Sequence, residues 1–98
     1  MKKIDLSGDE FFKNQFLGLL ESAPNRRPFT TSDVIKAVTL HAKATQASGS
    51  LLLEEADYTF YKGIVEAQDW RVAMPQLAEF ITRIIEAPDV KVSEADTN

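Results

Sequence analysis

There is no cysteine in this chain of 98 residues, so disulfides, thiolate zinc sites, iron–sulfur clusters and a cysteine nucleophile are all excluded. That absence suits a cytoplasmic protein. There is a single histidine, His41, and no carboxylate stands three or four residues away along the chain to orient it. Acid–base catalysis needs a positioned partner as well as a suitable pKa, so no catalytic residue is assigned and no enzyme is expected. With one histidine and no thiolate, a transition metal would have to rest almost wholly on carboxylates. No glycine-rich phosphate loop, nucleophile elbow or zinc-hydrolase motif occurs either. The expectation is therefore no metal and no cofactor.

Long apolar runs are missing too. None approaches the roughly 18 residues that a membrane span requires, and Met1-Lys-Lys-Ile-Asp-Leu-Ser7 has two lysines without the apolar stretch of a signal peptide. The chain reads as a soluble protein of the cytoplasm, or of the virion if phage-encoded, with no membrane partner. Nor is there a surplus of cations: the net charge is −4, with Glu86, Asp89, Glu94 and Asp96 crowded near the end of the chain. A nucleic-acid binder would be expected to cluster its basic residues, so nucleic acid is not an expected partner.

What is present is an ordinary globular composition, 44% apolar and 27% charged. One domain of this length buries only about 60–65% of its unfolded surface. The patterning gives four helices. Asp9 or Ser7 is placed to cap a helix starting near Glu10, whose Phe12, Phe16, Leu19 and Leu20 share one face; Pro24 stops it. Phe29-Thr-Thr-Ser-Asp33 is the clearest helix start, with a threonine or serine cap and Phe29 as a staple. That helix runs from about residue 32 to 47, with Val34, Ala37, Val38 and His41 on one face and Ile35, Leu40 and Ala42 flanking it.

Ser48-Gly-Ser50 is a stop, and Glu54, Glu55 and Asp57 look like the acidic first turn of a third helix. Tyr58, Tyr61 and Val65 repeat along it, with Phe60 and Ile64 on an adjoining face. Gly63 lies in its interior, where glycine costs roughly 1 kcal/mol against alanine, and a close helix crossing is the expected reason. Met74-Pro75 opens the last helix, whose stripe is Leu77, Phe80, Ile81, Ile84 and Ile85. Residues 51–53 then lie between two helices, too short for a third. Their natural partner is the alternating Lys2-Lys-Ile-Asp-Leu6.

The expected fold is mainly α: a compact four-helix domain over residues 1–88, with a short two-stranded ribbon of residues 2–6 and 50–53, followed by a flexible acidic tail over 89–98. A two-stranded ribbon is marginal alone, so it should pack on the helices or be extended by a second copy of the chain.

The stretch Leu51-Leu-Leu-Glu-Glu-Ala-Asp-Tyr58, followed by Val65-Glu-Ala67, Trp70 and Phe80, resembles small proteins encoded in tailed-phage and prophage genomes. The resemblance covers roughly residues 30–85. In those proteins a capped helix precedes a short Leu-x-Leu-Glu-acid stretch, another helix and a final apolar helix. It implies a small helical accessory or virion-assembly protein and carries over no catalytic residue.

Two functions follow as expectations. The first is a non-enzymatic protein-interaction module, self-associating or bound to a protein partner. Its candidate contact residues are Trp70 and Arg71 at an inter-helix junction, the paired Arg26 and Arg27, and Leu51 and Leu53 on the short strand. Half-exposed tryptophan and arginine are common among residues that dominate interfaces, although in a domain this small the favoured reading of Trp70 is that it covers the end of a core made by Tyr61, Val65 and Phe80. The second is a nucleic-acid-associated regulator touching phosphate through the region of residues 26–43.

Overall fold

The computed structural model describes residues 1–90. Within them the order is β1 (Lys2–Asp5), α1 (Glu10–Glu21), α2 (Thr31–Gln46), β2 (Ser50–Leu53), α3 (Glu55–Glu66) and α4 (Pro75–Ile85). This is a mainly helical domain with a two-stranded antiparallel sheet, as the patterning predicts. The pair α1 and α2 forms a helical hairpin inserted between the two strands. Its two junctions are made by Gly8 and Gly49, both with positive φ, at 97° and 86°, a backbone state that glycine adopts without steric cost.

Each helix starts for a local reason. Asp9 caps α1 by accepting from the Phe11 amide at 2.9 Å. Thr30 and Asp33 form a reciprocal capping box on α2: the Asp33 amide donates to Thr30 Oγ1 and the Thr30 amide to Asp33 Oδ2, each at 3.1 Å. The bond from the Thr30 amide holds the Asp33 carboxyl below its ordinary range. Phe29 meets Phe60 of α3, with ring centroids 6.2 Å apart. Pro75 takes the first position of α4.

The strands pair with Lys2 opposite Leu53, Lys3 opposite Leu52, Ile4 opposite Leu51 and Asp5 opposite Ser50. Ile4, Leu51 and Leu53 are buried, while Lys3, Asp5 and Ser50 are exposed, so the ribbon turns one face to the core and one to water. On the far side of β1 the chain returns: the Lys3 amide donates to Pro88 O at 3.0 Å and the Val90 amide to Met1 O at 2.7 Å. Asp89 bridges to Lys2 through the backbone and through an ion pair of 3.2 Å. Residues 89 and 90, expected to belong to a flexible tail, are instead held against the sheet by these bonds. The rest of that tail, 91–98, lies outside the described residues.

Between ribbon and helices sits a single core. Phe16 of α1 stacks on Tyr61 of α3, with centroids 4.0 Å apart and planes 9° from parallel. Phe80, Ile84, Ile64, Leu40, Val65, Ile4 and Leu53 are among its other fully buried side chains. The Tyr61 hydroxyl donates to Phe16 O at 3.0 Å, and burial pushes its phenol pKa up. The Tyr58 hydroxyl donates to Ile84 O at 2.7 Å and reaches Ile85 O at 3.1 Å, satisfying carbonyls at the end of α4 that the helix cannot.

Two expectations need correction. The core face of α2 is Ala37, Leu40 and Ala44, not Val34, Ala37, Val38 and His41. Small residues let α2 lie close against α1, whose Phe16 and Leu20 supply the volume, and Val34 and Val38 are left exposed as a result. Nor is Gly63 explained by a helix crossing. A methyl group there would overlap Nη1 of Arg27, whose guanidinium crosses the helix surface at this point, near the Phe60 ring.

That contact yields a prediction. Alanine at 63 gains helix propensity of about 1 kcal/mol but has to displace the flexible end of Arg27. Gly63→Ala should therefore stabilise an Arg27→Ala background by about 0.5–1 kcal/mol and the wild type by less. A double-mutant cycle in urea measures the difference, and equal effects in both backgrounds would mean that Arg27 does not matter there.

Candidate functional site

Three surface features stand out among the described residues, and the first is the outer side of α2. Thr31, Ile35, Val38, Ala42 and Thr45 follow one another at steps of four and three, which lines them up on one face. None is charged. Ile35 is 65% exposed, Val38 64% and Val34 49%. The hydroxyl of Thr39 donates to Ile35 O at 2.9 Å and that of Thr45 to His41 O at 2.8 Å. These polar groups are thus engaged inside the helix, and the face is drier than its composition implies. At its edge a groove of about 360 Å³ lies between α1 and α2, lined by Leu20, Phe29, Val34, Ala37 and Val38.

His41 closes one side of that groove, its Nε2 3.0 Å from Glu21 Oε2. Sequence spacing hides this carboxylate, because Glu21 belongs to α1 and reaches His41 only once the two helices pack. Both side chains are well exposed, so the pair is a weak surface contact.

The second feature is the connection from α3 to α4, residues 67–74. Trp70, Val72 and Met74 are 36%, 64% and 40% exposed, and Arg71 beside them is exposed as well. Trp70 is thus half-exposed and is not itself part of the buried cluster. This connection is tied to the one between α1 and α2 by Arg26, whose Nη1 lies 3.5 Å from Asp69 Oδ1. Arg26 is consequently brought close to Trp70 and Arg71 in sequence terms, whereas Arg27 turns away over Gly63 and Phe60.

The third is a wider cleft, about 680 Å³, between the outer face of the ribbon and α4. Its charges are already committed. Arg83 donates to Asp5 O and Ser7 O, both at 3.0 Å, pairs with Glu79 at 2.8 Å and lies over the Phe12 ring at 3.9 Å. Hydrogen bonds from the Ser7 side chain and amide hold the Asp5 carboxyl below its ordinary range. This arrangement fastens the start of α1 to α4.

Leu51 and Leu53 do not offer their side chains to a partner. They are 3% and 0% exposed, because the period of two along β2 points them both at the core. The strand's main chain is a separate matter. Lys3 spends its amide on Pro88, so its pair with Leu52 is a non-hydrogen-bonded one, and the bonded pairs are those of Leu53 and Leu51. The Leu6 amide donating to Gly49 O at 2.7 Å continues that alternation. The amides and carbonyls of Ser50 and Leu52 therefore point to the other side of β2, where no main-chain partner meets them among the described residues.

Among those residues no three histidine, aspartate or glutamate side chains come together as a metal site would need, and no helix is long and apolar enough to cross a membrane. Comparison with protein families, with curated proteins and with solved structures finds no match to this chain.

Proposed function

We propose that the protein is a non-enzymatic interaction module that binds other protein through the outer face of α2, in the manner of the small phage accessory and assembly proteins it resembles. The observation that carries this reading is the charge-free stripe of Thr31, Ile35, Val38, Ala42 and Thr45. In a chain with 27% charged residues, sixteen helical residues with one uncharged and exposed side are unusual, and depletion of charge is the compositional mark of an interface centre. Trp70, Arg71 and Met74 on the connection before α4 are of the residue types enriched in such contacts.

Binding to nucleic acid through the region of residues 26–43 finds less support. Arg26 faces Asp69, Arg27 lies over Gly63, and Lys36 sits 5.7 Å from the centre of the Phe60 ring.

Affinity capture from the native host with two baits tests the proposal. Ile35→Glu with Val38→Glu should leave stability within about 0.5 kcal/mol per site, as exposed substitutions do, while removing the partner held by the wild-type bait. An identical set of captured proteins from both baits would count against α2 as the binding face.

A further inference from the structure

The two edges of the ribbon are treated differently. Residues 88–90 cover β1 with main-chain bonds, from the Lys3 amide to Pro88 O and from the Val90 amide to Met1 O. The outer edge of β2 has no such cover among the described residues, and apart from its shortness it carries no charge or proline that would keep an edge from pairing. Ser50-Leu-Leu-Leu53 contains no lysine, no proline and no inward-facing charge. Its open groups are two amides and two carbonyls, on Ser50 and Leu52, a pattern that another extended chain can complete.

We propose that this edge binds β2 of a second copy, antiparallel, with Ser50 opposite Leu52 of the copy and Leu51 opposite its own counterpart. The inference deepens the reading of an interaction module, on which it rests, by naming one partner and one contact.

Register is what selects a second copy. With Ser50 facing Leu52 across a two-fold axis, both residues on each strand exchange both of their bonds, so four main-chain bonds form and no open group is left over. Sliding by one step to place Leu52 on its own counterpart would instead bring in Glu54, whose carbonyl already accepts from the Tyr58 amide at 2.9 Å at the start of α3. The chosen register also avoids like charges. Glu54 meets Ser48 of the copy and Glu55 meets Ala47, so neither acid faces another in a protein of net charge −4. Leu51 and its counterpart take the intervening non-hydrogen-bonded position, with each side chain kept in its own core.

Closure follows from the covered edge. Because residues 88–90 already occupy the outer side of β1, pairing through β2 joins two copies and stops there, giving a closed dimer instead of a growing sheet. A contact built mainly on four main-chain bonds is smaller than the standard interface of about 1,600 Å², so dimerisation is to be sought from micromolar concentration upward.

Sedimentation velocity on the full chain, from micromolar to submillimolar concentration, tests this with two variants. Leu52→Pro removes one outward amide, at an edge position where proline is tolerated, and Leu52→Lys adds an edge charge, should the proline variant fold poorly. The wild type should dimerise, and each variant with wild-type circular dichroism should dissociate at least about tenfold more readily, equivalent to about 1.4 kcal/mol. A wild type that stays monomeric throughout overturns the proposal, as does a dimer unaffected by both substitutions. If Ile35→Glu with Val38→Glu abolishes association while the Leu52 variants do not, the edge proposal fails and binding through α2 stands.

Discussion

Tyr61→Ala is expected to destabilise the domain by about 4 kcal/mol, within the 3–5 kcal/mol typical of truncating a buried aromatic ring. Tyr61 has no exposed surface, and its ring lies flat on Phe16 at 4.0 Å, so the substitution opens a void between α1 and α3 that neither helix can close alone. Loss of the ring also removes the donor to Phe16 O. Tyr61→Phe separates the two effects. It keeps the stack and deletes only the hydroxyl, and should cost about 1 kcal/mol, the usual net value of one hydrogen bond. Small domains have total stabilities of about 5–15 kcal/mol, so the alanine variant should lose between roughly a quarter and most of its stability while the phenylalanine variant keeps the greater part. Urea denaturation followed by circular dichroism reads both values, and equal losses in the two variants would show that the stack contributes nothing.

Ile4→Ala should cost about 3 kcal/mol, whereas Lys3→Ala, one residue away, should change stability by no more than about 0.5 kcal/mol. The contrast follows from the period of two along β1. Ile4 has no exposed surface and packs with Leu51, its cross-strand partner, into the common core. Lys3 faces water on the opposite side of the ribbon. The amide of Lys3, which donates to Pro88 O, survives replacement by alanine, so the cover over β1 is retained. A ribbon packed loosely on the helices would give a small loss for both substitutions, and thermal unfolding of the pair distinguishes these outcomes.

Much of the fold is legible in local chemistry. Asp9, Thr30 with Asp33, and Pro75 each mark a helix start by a property of the side chain itself: an oxygen that can accept from an orphan amide, or a ring already at helical φ. Leu51-Leu-Leu53, too short for a helix between a glycine stop and an acidic first turn, is a strand. Its pairing with β1 spans the whole α1–α2 hairpin, and was readable because Ile4 is flanked by charged residues in an alternating pattern.

The interaction surface is less so. In α2 the sequence has two candidate apolar stripes, one of alanine and leucine and one of valine, isoleucine and threonine. Size alone favours burying the second. The packed structure buries the first, because a helix lined with alanine can approach α1 more closely. The uncharged outer face could have been noticed as the 3–4 spacing of Thr31, Ile35, Val38, Ala42 and Thr45, yet nothing local says which stripe meets solvent. Leu51 and Leu53 show the same limit from the other side: they belong to the right strand, but its outward contact lies in the main chain of Ser50 and Leu52.

By itself the sequence determined that this is a small helical domain with a short ribbon, without thiol chemistry and without a long apolar span, since caps, breakers and periodicities act over a few residues. Tertiary packing alone decided which face of α2 is open, that His41 meets Glu21, that Arg27 occupies the space above Gly63, and that among the described residues β1 is covered while β2 is not. Each of these depends on groups distant along the chain competing for the same space or the same hydrogen bond, and that competition is resolved only when the helices and strands are assembled.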